Sequence, residues 1–169
     1  HTETAARVKT LATRGVQPGL VFIRVGEDPA SQVYVGMKEK KSAELGFKSI
    51  TRVLPESTSQ QELLALIDSF NADPQYHGIL VQAPLPSHID QATVYAHVAP
   101  HKDVDGFHPV NVGRLLLGDT GGFVPCTPGG VHELLIRSGT KLPGAEVVIL
   151  GRGNIVGKPM ASILVQKGS

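Results

Sequence analysis

Apolar positions in the first hundred residues alternate between a helical period and short strand-like runs. From Thr4 to Arg14, Ala5, Val8, Leu11 and Ala12 share one helical face, and Gly15 ends the pattern. Leu20-Val21-Phe22-Ile23-Arg24-Val25 is almost continuously apolar, as in a strand covered on both faces of a parallel sheet. The polar turn Gly26-Glu27-Asp28-Pro29 follows, then a helix reaching about Leu45 before Gly46, with Ser31 or Asp28 as its cap. Lys48 to Leu54 alternates as a second strand. Ser59 with Glu62 forms a capping box ahead of the helical stripe Leu63, Leu64, Ile67 and Phe70, which Asp73-Pro74 breaks. Gly78 to Gln82 reads as a third buried strand. It runs into Pro84-Leu85-Pro86, which cannot continue a ladder, so Gln82 sits at a strand's carboxyl end. A short helix around Ile89 to His97 and a long loop from Pro100 to Val110 complete this part.

Gly121-Gly122 marks a hinge-like break and divides the chain into residues 1–122 and 123–169. Beyond it, Thr127 caps a helix with Pro128 at the first position, its residues Val131, Leu134, Leu135 and Ile136 face inward, and Gly139 ends it. Ala145 to Leu150 reads as a fourth apolar strand. It feeds Gly151-Arg152-Gly153-Asn154-Ile155-Val156-Gly157-Lys158-Pro159, and a last helix begins near Val156. The order α-β-α-β-α-β-α predicts a layered α/β domain with a mostly parallel sheet, followed by the beginning of a Rossmann-type dinucleotide-binding domain.

Composition narrows the function classes. The 169 residues are 41% hydrophobic, enough for one or one and a half domains with a real core. A net charge of +1 gives no reason to expect a nucleic-acid or membrane partner, and no apolar run has the roughly 20 residues of a membrane span. The single cysteine, Cys126, rules out an internal disulfide and points to a reducing compartment. The chain begins His1-Thr2-Glu3 without a methionine, which leaves room for a removed targeting segment.

Three constellations carry candidate chemistry. Tyr34 and Lys38, four residues apart, lie on one helical face, where a phenol ring can stack a flat substrate beside an amine that handles a proton. Taken alone, the pair reads first as a packed tyrosine and a solvated lysine, and only then as a site. Lys102-Asp103-Val104-Asp105-Gly106 holds two carboxylates, which suit a functional loop, a capped turn or a cation site. Two oxygen ligands are too few for a usual metal site, and His97, His101 and His108 are not spaced as zinc ligands, so no metal is expected. The glycine loop follows a predicted strand and opens a helix, the context in which backbone N–H groups bind a pyrophosphate. Its Gly151-x-Gly153-x-x-x-Gly157 spacing departs by one residue from the usual fingerprint, Arg152 is placed to reach a ribose 2′-phosphate, and a ligand-free tight turn is the plain alternative. Pro125 to Gly130 reads as a helix start, and Cys126 has no visible activating partner.

Together these stretches resemble the bifunctional methylenetetrahydrofolate dehydrogenase/methenyltetrahydrofolate cyclohydrolase family. The likeness runs from about Pro18 to Gln166 through Val25 to Ser31, Tyr34-Val35-x-x-Lys38, Gly78 to Pro86, Lys102 to Gly106, Pro125 to Pro128 and Gly151 to Pro159. The resemblance implies a folate-binding catalytic domain over 1–122, a dinucleotide domain beginning at 123, and a cleft between them. It implies that Lys38 transfers protons and activates water, that Tyr34 stacks on the folate, and that Gln82 hydrogen-bonds the lysine. Asp105 would hold the pterin, Pro84 and Leu85 would line the folate site, and Gly151, Arg152, Gly153 and Gly157 would bind the cofactor. The implied cofactor is NADP and the implied substrates are tetrahydrofolate derivatives of one-carbon metabolism, the supply line of purine biosynthesis. A cytoplasmic homodimer is expected, with mitochondria as the alternative location if a leader has been removed.

The chemistry explains the residue types. Oxidation of the one-carbon bridge leaves a cationic methenyl group, to which water then adds. Only a neutral amine can act as base beside that cation, so a neutral partner such as Gln82 suits Lys38 and a touching carboxylate does not. Asp105 is therefore expected to face the pterin and not to pair with Lys38. Some positions depart from the family pattern. Gly153 replaces a common serine, which removes a hydroxyl that would help hold phosphate and keeps NAD as the other candidate. Met37 and Ala83 look like packing changes. Only the first strand-loop-helix of the dinucleotide domain lies within these residues. The competing function is a folate- or nucleotide-binding fragment without turnover. An amino-acid or shikimate-type dehydrogenase would leave Tyr34, Lys38 and Gln82 unaccounted for.

Overall fold

A computed structural model describes residues 2–166. It resolves into two compact units, His1–Lys102 and Asp103–Ser169, about twenty residues ahead of the 122/123 division expected from Gly121-Gly122.

The first unit is built on a three-stranded parallel sheet. Its elements are α1 (Thr2–Ala12), β1 (Gly19–Val25), α2 (Pro29–Leu45), β2 (Lys48–Leu54), α3 (Gln60–Ala72), β3 (Gly78–Val81) and α4 (Gln91–His97). The strand order is β2-β1-β3, so β1 is central. Both pairings are parallel, with Val21 opposite Ile50 on one side and Ile79 on the other. Alternation sends Val21, Ile23 and Val25 to one face, into a core with Leu63, Ile67 and Phe70 of α3 and Val94 of α4. Phe22 and Leu80 are buried on the opposite side, where α2 packs on β1 and β2. The near-continuous apolar run of β1 reflects burial on both faces.

Local chemistry sets the helix ends. Asp28 caps α2 by accepting the Ser31 N–H, Pro29 occupies the first turn, and Gly46 closes the helix in the left-handed region at φ 86°. At α3 both halves of the Ser59/Glu62 capping box are formed. Lys102 is buried, and its ammonium donates to the carbonyls of Phe70 (2.8 Å) and Asp73 (2.7 Å) at the carboxyl end of α3. That burial pulls the Lys102 ammonium below its ordinary range, opposed by the Asp73 charge.

The second unit contains α5 (Pro109–Leu117), α6 (Cys126–Arg137) and α7 (Gly157–Gln166), with α7 packed on both α5 and α6. Three expectations change here. The loop expected through Val110 gives way to α5: His108 caps it through Nδ1, Pro109 occupies its first turn, and Gly118 closes it at φ 75°. Helix α6 starts at Cys126, with Pro125 as a cap that makes no side-chain hydrogen bond. Pro128 then falls in the first turn, where a missing N–H costs nothing. Of the positions expected to face inward on α6, only Leu135 packs against the cluster of Leu142, Met160 and Leu164. Val131, Leu134 and Ile136 are exposed, because α7 covers only one side of α6.

The expected fourth strand is also absent. Residues 145–150 form no strand, and Val148 and Leu150 are 86% and 98% exposed. A strand is defined by its ladder, and the strands among the described residues all belong to the first unit. Without a neighbour the apolar run has nothing to pair with.

Candidate active site

The candidate residues of the first unit follow the carboxyl ends of β1 and β3, where ligands bind in parallel sheets. Beyond β1, Gly26 adopts φ 82° and donates to the Leu54 carbonyl at 2.9 Å, turning the chain into α2. Beyond β3, the Gln82 N–H donates to the Ile23 carbonyl at 2.8 Å, so the ladder holds Gln82 just before the cis Ala83–Pro84 bond.

These elements bring two of the candidate residues into contact. Lys38 Nζ donates to Gln82 Oε1 at 3.0 Å. The amide of Gln82 is oriented from its other end, because Nε2 donates to the Ala83 carbonyl at 2.7 Å. The oxygen is thus the atom left to face the ammonium. Tyr34 lies one turn before Lys38 on α2 and is 54% exposed. Pro84 is exposed, and Leu85 packs against the core beside β3.

Two supporting contacts escaped sequence reasoning, one of them made by Ser31, which the sequence offered only as a helix cap. Ser31 is buried, and its hydroxyl donates to the same Ala83 carbonyl at 3.2 Å, tying the start of α2 to the end of β3. Arg24, in an otherwise apolar strand, is buried and donates through Nη1 to the Gly26 carbonyl at 2.6 Å and to Glu27 at 3.4 Å. Glu27 in turn accepts from Gln32 at 2.7 Å. A lone arginine inside a buried strand was the available signal. The cap is electrostatically set as well: the Ser31 backbone N–H, then its hydroxyl, hold the Asp28 carboxyl below its ordinary value.

Asp105 and the glycine loop belong to the second unit. Asp105 is half-buried, and Gly106 after it adopts φ 70°. In the glycine loop Gly151 takes φ 134°, a conformation that disfavours any side chain. A Cβ on Gly157 would lie 2.4 Å from the Gly151 carbonyl oxygen, so two backbones meet there. Nothing lies within 4 Å of a Cβ built on Gly151 or Gly153, and Arg152 is exposed. The loop leaves open backbone at the start of α7, which fits the phosphates of a dinucleotide.

Residues 1–105 match the model of the tetrahydrofolate dehydrogenase/cyclohydrolase catalytic domain, and residues 125–169 match that of the same family's NAD(P)-binding domain. The chain belongs to the tetrahydrofolate dehydrogenase/cyclohydrolase family. It is 53% identical over 168 residues to the bifunctional protein FolD of Syntrophobacter fumaroxidans, covering 99% of this chain and 57% of that one. Among solved structures, FolD methylenetetrahydrofolate dehydrogenase/cyclohydrolase from Campylobacter jejuni superposes with a TM-score of 0.98 at 47% identity, over 99% of this chain and 60% of that one. The Trypanosoma brucei enzyme, solved with NADP cofactor and an inhibitor, gives 0.95 at 38% identity, over 99% and 58%. The chain thus spans somewhat over half the length of these members of the family.

Proposed function

We propose that the protein oxidises 5,10-methylenetetrahydrofolate to 5,10-methenyltetrahydrofolate with NADP and hydrolyses the product to 10-formyltetrahydrofolate. The single observation that carries this reading is the 3.0 Å hydrogen bond between Lys38 and Gln82. It joins an amine to a neutral amide at the carboxyl end of the sheet, beside an exposed tyrosine one turn away. A neutral acceptor orients the amine without holding its proton as a carboxylate would. In the hydrolysis, Lys38 takes a proton from the attacking water and returns it as the ring opens. Tyr34 stacks on the flat pterin, Asp105 accepts its N–H groups, and Pro84 and Leu85 border the substrate.

Gly151, Arg152, Gly153 and Gly157 are the residues that would hold NADP, with open backbone for the phosphates and Arg152 for the 2′-phosphate. The nicotinamide, when bound, supplies the hydride acceptor for the first step. Gly153 brings no hydroxyl to this loop, which keeps NAD as the competing cofactor. The functional division is proposed at 122/123, with the catalytic part before it and the dinucleotide part after it. The assembly is proposed to be a homodimer. No described helix is long and apolar enough to cross a membrane, and the bacterial relatives favour a cytoplasmic location.

The test uses the intact protein. With methylenetetrahydrofolate and NADP, reduced-cofactor absorbance should rise; with methenyltetrahydrofolate alone, its chromophore should decay faster than in buffer. Absence of both signals would leave a binding fragment without turnover. Decay alone would leave a cyclohydrolase.

A further inference from the structure

Two aspartates stand two residues apart in the loop from Asp103 to Gly106, and the structure gives them different surroundings. Asp103 is 4% exposed, and its carboxylate is filled by donors of its own unit. Oδ1 accepts from the Phe107 N–H at 3.2 Å, and Oδ2 accepts from the His108 N–H and the Asn111 Nδ2 amide, both at 2.8 Å. Asn111, on the first turns of α5, is 1% exposed. Its own oxygen accepts from the Phe123 N–H at 3.3 Å, which fixes the direction of the amide. Residues 123–126 lie against the loop: a Cβ on Gly106 would meet Phe123, Val124 and Pro125 backbone atoms at 2.8–2.9 Å, and Cys126 Sγ reaches the Val104 carbonyl at 3.5 Å.

We propose that Asp103 and Asn111 form a buried polar hub that fixes the shape of this loop and so positions Asp105 for the pterin. Asp103 is then a positioning residue, and the inference rests on the substrate-binding role proposed for Asp105. Each partner of the carboxylate is an N–H donor, so the hub demands acceptors at Asp103 and a donor at Asn111. A glycine-containing loop without that hub would have to be ordered when substrate binds, and affinity would fall by that cost.

The hub can be inverted. Asp103→Asn keeps the shape but turns an NH₂ toward an N–H donor, whereas the double change Asp103→Asn/Asn111→Asp restores one donor–acceptor pair in the opposite sense. In the intact protein, Asp103→Asn should raise the dissociation constant for tetrahydrofolate about tenfold, the size expected for losing a charge-assisted hydrogen bond. The cyclohydrolase kcat should stay within about threefold, since Lys38 and Gln82 are untouched. The double variant should recover about threefold of the lost affinity, and slowed exchange of the Phe107 and His108 amides should be lost in the single variant, with only that of Phe107, which keeps an oxygen acceptor, partly regained in the double. Affinity within about twofold of the parent for Asp103→Asn, or a double variant no tighter than the single, overturns the proposal. Asp105→Ala is measured alongside. If it leaves affinity unchanged, the role of Asp105 is what fails, and the amide exchange still decides whether the hub orders the loop. If Asp103→Asn does not fold, Asn111→Ser replaces it, and unchanged affinity there overturns the proposal equally.

Discussion

Leu20–Val25 and Ala145–Leu150 are apolar runs of equal length, and each leads into a glycine turn and a helix. The first is the central strand of the sheet, with Val21 and Ile23 fully buried between two parallel neighbours. The second forms no ladder, and Val148 and Leu150 stand in the open. Hydrophobicity makes a segment suitable for a sheet; neighbouring strands make it a strand. The consequence reaches the candidate chemistry. Lys38 and Gln82 meet because α2 and the end of β3 are both anchored to buried β1, directly or through Ser31 and Ala83. The glycine loop rests instead on the close approach of Gly157 to Gly151 and on the packing of α7.

Substitutions sharpen this contrast. Ile23→Ala removes a fully buried side chain from β1 and should cost about 2–5 kcal/mol of stability, whereas Val148→Ala should stay within about 0.5 kcal/mol. Urea unfolding of both variants checks the pair, and equal effects would mean that the second run is packed as well as the first. Gly157→Ala comes next. Alanine alone would favour a helix by about 1 kcal/mol, but its Cβ would collide with the Gly151 carbonyl, so the net change should be a loss of about 1–3 kcal/mol with weaker NADP binding. A stabilised variant would remove the close approach from the account.

The smallest effect concerns the cap of α2. The Asp28 carboxyl is held below its ordinary 3.8 by the Ser31 N–H and hydroxyl. The unfolded chain therefore binds this proton more readily, so the cap's contribution is complete above the unfolded value and fades as pH falls through the lower folded one. Asp28→Ala should accordingly lower the urea midpoint at about pH 6 and make little difference well below pH 3.8. A gap between the two proteins that widened in acid would contradict that direction.

Much of the first unit was legible because its signals are local. β2 spans Lys48–Leu54 as its alternation requires, and the Ser59/Glu62 box closes where the spacing places it. Helical register and a strand end placed Lys38 and Gln82 toward the same end of the sheet, and the family resemblance, not the spacing, implied the hydrogen bond between them that the structure forms. Arg24 and Ser31 were not legible as supports, because their partners are set by the meeting of separate elements. Helix α5 was hidden by His108-Pro109, which read as loop and proved to be a cap with proline in the first turn. Asp103 and Asp105 looked alike in sequence, and only folding distinguishes the buried carboxylate from its half-buried neighbour. The inward face assigned to α6 and the fourth strand failed for one reason: apolar periodicity does not say what will cover it.

The central claim is that Lys38, held by a neutral amide, moves the protons of the hydrolysis. It is tested most directly by measuring decay of the methenyltetrahydrofolate chromophore with Lys38→Met in the intact protein, alongside its Tm. The rate should fall by about a hundredfold or more, the scale of a lost general base, with the fold intact. A folded Lys38→Met protein that retains near-normal cyclohydrolase activity would contradict it.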